Sequence, residues 1–334
     1  MSALDRQPDA STVAKQKRLA AREKRVLAGV GELSRFLEDL LRQGLATASA
    51  TGYRTWDEMA SRMVDAQAPG LARMVRDLGG VAHAGPDWQD NLLERIGRLH
   101  LLLEAYRRIE SLDDDLASDV RSLVGFATRR DAVLARPAVH DTWWVLGRRL
   151  ELQDNLSTAR CWLWGEQTGR FALVLSFAAG GQPFDIGPAP GTRIEADLHF
   201  YPSAVPLRAT IASSARRGRA NRERAPNLFR SLREAWDDYR RALVRLPWIE
   251  RFPMTLRGVV PSPVDESWRL QDAEHAIAMQ PFGRDGWTLL AVSGGHPVDV
   301  CGEWNGAAFV PFGCFSEGGF ATLARNPLYS EIAP

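Results

Sequence analysis

Cysteine is scarce in this chain: Cys161, Cys301 and Cys314 are the only three in 334 residues. They are too few and too unevenly spaced for a disulfide framework, and they suit a reducing cytosol. Net charge is missing as well, because 42 Lys and Arg face 41 Asp and Glu, leaving +1. Retention on nucleic acid or anionic lipid by overall charge is thereby excluded, whereas local basic patches are not. Long apolar runs are absent. Leu99–Leu103 is interrupted by His100 and followed by Glu104, so no segment reads as a membrane span. Met1 to Arg25 has no apolar core and is rich in Lys and Arg, which argues against a signal peptide. The expected location is the cytoplasm.

Motifs for metals, nucleotides and catalysis are also lacking. No Cys-x-Cys or Cys-x-His occurs. His296, Cys301 and Cys314 are the best metal trio, but their spacings match no zinc ribbon or finger. Cys161 and Cys301 fall in predicted strands, where Cys acts as a small buried hydrophobe. Gly79-Gly80, Gly180-Gly181, Gly294-Gly295 and Gly318-Gly319 fit neither a phosphate loop nor a dinucleotide fingerprint and read as turns. His140, Asp141 and His199 could serve as acid or base, yet nothing pairs them with a nucleophile or an orienting group. No catalytic residue, no metal ligand and no cofactor is assigned, and the chain leans away from being an enzyme.

What the sequence does have is tryptophan, 11 in all, each bringing a large apolar area and one N–H that wants a partner. The expected fold class is α+β: an N-terminal helical region, then an antiparallel β-rich region interrupted by one long amphipathic helix. Helices and strands segregate along the chain, which disfavours a doubly wound parallel sheet. Residues 1–12 are expected to be disordered and 13–138 to form a helical domain. Within it, Val26, Val30, Leu33, Leu37, Leu40 and Leu41 share one helix face, with Gly44 as the stop. Thr55 with Glu58 has capping-box spacing, and Pro69 suits a helix first turn. A further helix spans Asp87 to Ile109, and another follows Asp113-Asp114-Asp115.

Residues 139–212 are expected to be β-rich, since Arg160, Trp162 and Trp164 alternate with Cys161 and Leu163. Residues 213–225 read as a basic linker, and 226–334 as an amphipathic helix near Leu228 to Leu246 plus a second β-rich part. That part includes a strand over Trp287 to Val292 and a two-residue hairpin at Asn305-Gly306. Sequential antiparallel pairing is the simplest topology. The echo of Leu163-Trp164-Gly165 in Gly302-Glu303-Trp304 is too loose in register to define a repeat.

Two groups of residues are binding candidates. Trp143, Trp144, Trp162 and Trp164 would suit a protein partner as an aromatic cage or hot spot. Neighbours Trp143 and Trp144 point to opposite faces of a strand, so one face should meet the helical region or a partner. Arg216, Arg217, Arg219, Arg222 and Arg224 are the best nucleic-acid candidates. No aromatic residue is interleaved among them for base stacking, which favours a solvated linker.

Several segments in order carry a family resemblance: Gly97-Arg98-Leu99-His100-Leu101-Leu102-Leu103-Glu104, Trp144-Val145-Leu146-Gly147, Trp162-Leu163-Trp164-Gly165, Leu290-Ala291-Val292-Ser293-Gly294-Gly295-His296-Pro297-Val298 and Gly302-Glu303-Trp304. Together they resemble the body of bacterial SWIM zinc-finger family proteins, from about Val26 to Pro311, without the zinc-finger motif itself. The resemblance places zinc only in an upstream finger, and no residue of this chain inherits that role. It also implies work beside a MoxR-type AAA ATPase and von Willebrand A-domain proteins. The leading expectation is a non-enzymatic adaptor or scaffold that binds protein partners. A nucleic-acid-binding module and an enzyme with a site assembled only in the fold are the alternatives.

Overall fold

The computed structural model describes residues 10–45, 52–81, 87–153, 156–179, 187–212, 216–220, 227–265, 267–280, 285–316 and 319–323. The chain divides into two compact units, Met1–Thr128 and Arg129–Pro334.

The first unit is helical: α1 (Ala10–Gln43), α2 (Gly52–Asp65), α3 (Pro69–Val81), α4 (Trp88–Arg107) and α5 (Asp114–Val124), with a 3-10 turn at Ile109–Ser111. The stripe foreseen on α1 is the one that packs: Val26, Val30, Leu33, Leu37 and Leu40 are buried, while Leu41 lies outside the core. Trp56, Met59 and Met63 of α2, Leu71 and Val75 of α3, and Leu92, Ile96, Leu99 and Leu103 of α4 are buried in the same unit. Each such side chain contributes about 1.5–3 kcal/mol by leaving water. Gly44 ends α1 with φ +89°, the left-handed stop that glycine adopts without strain. Ala10 to Thr12, expected to be disordered, form the first turn of α1; residues 1–9 lie outside the described residues. Helix α2 begins at Gly52, so Thr55 lies inside it rather than capping it.

Arg22 on α1 closes this unit. Its Nη2 donates to the carbonyls of Gln67 at 3.0 Å and Gly125 at 2.9 Å, and its guanidinium lies 4.0 Å from the centre of the Phe126 ring. The start of α3 approaches the end of α5 so closely that a Cβ on Gly70 would sit 1.9 Å from the Leu123 carbonyl oxygen. Gly70→Ala is therefore expected to lower the stability of the helical unit by about 1–3 kcal/mol through overpacking. Urea unfolding of residues 1–128 within the full chain, followed by a helical signal, checks this.

The second unit opens with α6 (Arg130–Leu134) and then β1 (Ala138–Gln153), β2 (Leu156–Gly165), β3 (Phe171–Ala179), β4 (Thr192–Phe200), β5 (Arg208–Ile211) and β6 (Arg216–Ala220). After α7 (Leu232–Arg245) come β7 (Phe252–Val264), β8 (Ser267–Gln271), β9 (Ala276–Met279), α8 (Asp285–Ser293), β10 (Val298–Trp304), β11 (Phe309–Ser316) and β12 (Gly319–Thr322). The first sheet has the order β1-β2-β3-β5-β4-β6, and β1 also pairs β4. The second has the order β10-β7-β8-β9-β11-β12, and β10 also pairs β11. Each sheet thus closes into a five-stranded ring with one strand appended.

The two rings share one wiring. β1, β2, β3, β4 and β5 correspond to β7, β8, β9, β10 and β11, and the β3–β5 and β9–β11 contacts are the parallel ones. All other pairings are antiparallel. This is the arrangement of a five-stranded Greek-key barrel of OB type. Purely sequential antiparallel pairing is therefore corrected: the third and fifth strands of each ring run side by side in the same direction. The sequence echo between Trp164 and Trp304 does not mark this duplication, because Trp164 lies on the second strand of one ring and Trp304 on the fourth of the other.

Three local expectations change. Residues 216–220, read as linker, pair with β4 as a strand. Residues 287–292, read as a strand, lie in α8; a short continuous apolar run cannot be told from a helix by periodicity. The Asn305-Gly306 turn spans four residues between Trp304 and Phe309, with Asn305 Oδ1 accepting from the N–H groups of Ala307 and Ala308. A capping box not foreseen starts α7: Ser231 and Glu234 satisfy each other's backbone N–H.

Strand alternation puts Trp143, Val145, Cys161, Leu163, Ile194, Ala196 and Leu198 inside the first ring. The opposite face of the same strands carries Trp144, Leu146, Trp162 and Trp164, which pack on Cys301, Val310, Phe312 and Phe315 of the second ring. A buried carboxylate pins this interface. Glu303 on β10 is 0% exposed, and accepts from Trp162 Nε1 at 2.7 Å and Arg251 Nη1 at 2.7 Å. Arg160 Nη1 lies 3.5 Å from the same carboxylate and also pairs with Glu151. Removing one member of a buried pair strands the other charge. Glu303→Ala is expected to cost about 3–5 kcal/mol, and Arg251→Ala, at a more exposed position, clearly less. Chemical denaturation of both variants measures the difference.

Candidate functional site

The acid–base candidates are all engaged in structural bonds. Asp141 is buried and its carboxylate accepts from Gln167 N at 3.1 Å, Thr168 N at 2.9 Å and Thr168 Oγ1 at 2.7 Å. It therefore holds the Gln167-Thr168-Gly169 turn between β2 and β3. Burial opposes its ionisation, but these hydrogen bonds outweigh burial and hold the carboxyl below the ordinary aspartate range. His140 faces the other side of β1 and is exposed. Its Nδ1 bonds Asp197 at 2.7 Å, and its Nε2 lies 3.5 Å from Glu195. The Asp197 hydrogen bond comes first in raising its pKa. His199 Nδ1 bonds the Arg136 carbonyl at 2.8 Å. None of these three converges with another on a common reacting centre.

The tryptophan candidates are withdrawn from solvent. Trp143 and Trp144 are 0% and 1% exposed, Trp162 is 1% and Trp164 is 9%. Trp143 Nε1 donates to the Ala196 carbonyl at 3.0 Å, and Trp144 Nε1 donates to Glu166. Both faces of β1 are covered within this unit: one by the ring interior, the other by the second ring. The second ring thus occupies the place given to the helical region or a partner. Three of the four indoles are unavailable as a cage, because their rings are already packed and their N–H groups paired. Arg216, Arg217 and Arg219 lie on β6, at the edge of the first sheet; Arg222 and Arg224 lie outside the described residues.

The cysteines do not fit a zinc site. All three are buried. Cys301 Sγ contacts the Leu146 and Gly313 carbonyls at 3.3 Å, and burial pushes its thiol far up. Burial also pushes Cys314 up to about 11. Zinc takes thiolates, so these protonated strand residues are poor donors. Among the described residues no group of three or more His, Cys, Asp or Glu side chains is placed to hold a metal ion.

What sequence reading missed is a cleft of about 530 Å³ between α7, the start of β7 and the first ring. Trp164 and Phe171 from the β2–β3 hairpin, Leu228 and Met254 form its apolar part, and Arg230, Asp238, Arg241 and Arg245 form its charged part. The spacing of Ala235, Asp238, Ala242 and Arg245 along one face of α7 was a readable signal. The partner surface across from it was not readable, since it comes from residues far away in sequence. Residues 21–124 match the family model of the SWIM-associated four-helix bundle domain, in agreement with the resemblance to the body of SWIM zinc-finger proteins. No curated protein and no solved structure matches the chain. Among the described residues no helix is long and apolar enough to cross a membrane.

The role of Asp141 predicts a pH signature. A carboxyl with a lowered folded pKa stabilises the fold above the ordinary aspartate range, and that stabilisation is lost as pH falls through the lowered value. Asp141→Asn should cost about 1–3 kcal/mol at neutral pH. The gap to the parent should narrow on acidification through the Asp141 titration. Urea midpoints taken across the acidic range check both parts.

Proposed function

We propose that this chain is a non-enzymatic adaptor that holds a protein partner on its barrel unit. One observation carries the reading: a cleft of the barrel unit sets three guanidinium groups beside apolar side chains, and its one carboxylate, Asp238, is bridged to Arg241. Its Thr255 hydroxyl is engaged with the Leu228 carbonyl at 2.7 Å. Such a lining is suited to binding and orienting an occupant through the paired hydrogen bonds of Arg. The helical unit, which matches a domain associated with SWIM proteins, supports work inside an assembly. The partners that the family resemblance favours are a MoxR-type AAA ATPase and a von Willebrand A-domain protein.

A nucleic-acid-binding role is the second reading, favoured by the OB-type wiring of both rings and by the strand position of Arg216, Arg217 and Arg219. Fold alone does not assign a ligand. The two readings separate in solution. The adaptor reading expects a complex of fixed stoichiometry, by size exclusion with light scattering, when the purified chain is mixed with the ATPase or the A-domain protein. Elution of the chain alone in both mixtures, together with oligonucleotide binding lost on Arg217→Glu/Arg219→Glu, would transfer the assignment to the second reading.

A further inference from the structure

The cleft beneath α7 has the chemistry to select its occupant. Phe171 and Val205, each partly exposed, give the cleft its accessible apolar surface, and the almost fully buried Ala235 and Ala242 back it. Leu228, from the segment before α7, and Met254, on β7, lie behind that surface. Around it stand three guanidinium groups, Arg230, Arg241 and Arg245, against the single carboxylate of Asp238. Arg241 is bridged to Asp238, with both side chains largely in water, so the bridge is weak and exchangeable. Arg230 and Arg245 form no ion pair among the described residues. The volume, about 530 Å³, is that of a site for a small ligand or a few residues of peptide.

An apolar wall ringed by Arg calls for an occupant with one apolar group flanked by anions. Arg engages carboxylates through paired, charge-assisted hydrogen bonds. A single nucleic-acid strand would need exposed ring faces for its bases. The cleft offers one partly exposed ring, Phe171, and Trp164 and Phe252 are each only 9% exposed, so successive bases have no stacking platform. We propose that this cleft captures an acidic peptide segment of a protein partner, with an apolar side chain against the partly exposed Phe171 and Val205 and flanking carboxylates on Arg230 and Arg245. This recognition rests on the adaptor reading and specifies its contact; Arg clusters that read acidic motifs are a general mode.

Fluorescence anisotropy with the full chain tests it, using a labelled set of short peptides that carry one Phe or Leu between Asp and Glu. The same set with Asn and Gln replacing the acids and a labelled oligothymidylate complete the comparison. The acidic peptides should bind, and their amide counterparts should bind about tenfold more weakly or worse. Arg230→Gln/Arg245→Gln should weaken binding by about tenfold or more. Asp238→Asn should tighten it, because Arg241 is released and the one repelling carboxylate is gone. That gain cannot arise from a folding defect. Three results would overturn the proposal: no acidic peptide bound at low salt, binding indifferent to the two arginines, or oligothymidylate alone held through them. An ATPase or A-domain complex that survives Arg230→Gln/Arg245→Gln would sink the cleft and leave the adaptor reading standing. Peptide capture without any partner complex would do the reverse.

Discussion

Glu303 is the constraint on which the barrel unit depends. A carboxylate fully removed from water is costly unless every oxygen is matched. Here the match comes from the first ring and from the segment that leads into the second: Trp162 and Arg160 from β2, and Arg251 from just before β7. The hydrogen-bonded atoms exist only when the two rings are docked in one register. The aromatic contact between them, including Trp144 edge-to-face with Phe315 at 5.8 Å between ring centres, supplies apolar area. The buried carboxylate selects one position among those that area alone would allow. Gly147 sharpens the fit, because any Cβ there would fall 2.3 Å from Phe312 Cβ.

Docking of the rings also makes the candidate site. Helix α7 links the first ring to the second and covers the second with Leu232, Trp236 and Tyr239. Its other face is left over the β2–β3 hairpin of the first ring, and the gap between them is the cleft. Asp141 contributes from a distance by holding the hairpin turn that carries Gly169 to the cleft wall. The buried polar groups of this unit are thus spent on positioning. The groups left facing solvent in the cleft are three guanidinium groups and the Asp238 carboxylate beside apolar surface.

Much of the fold was legible in local pattern. The α1 stripe, the stop at Gly44, the alternation through Cys161 to Trp164 and the segregation of helices from strands all follow from periods of 3.6 and 2. The opposed directions of Trp143 and Trp144 follow from the strand period too, and both indoles are buried on their separate sides. Ring closure was not legible. The parallel β3–β5 contact joins Leu173 to Arg208, and β9–β11 joins Met279 to Phe309, and no local period encodes a pairing across another strand. The helix at Asp285–Ser293 was missed because its apolar run is as consistent with a buried strand.

The sequence by itself determined which segments could be helix or strand, which faces were apolar, and that the cysteines stand apart from any finger spacing. These properties depend on neighbours within a few residues. Tertiary structure alone decided that two rings share one wiring, that Glu303 lies at their junction, and that Trp143, Trp144, Trp162 and Trp164 are packed inside the barrel unit. It also decided that Arg230, Asp238 and Arg245 face Trp164 and Phe171 across one cleft. Those outcomes arise from pairing residues far apart in the chain, where burial and hydrogen-bond satisfaction act on the whole fold at once.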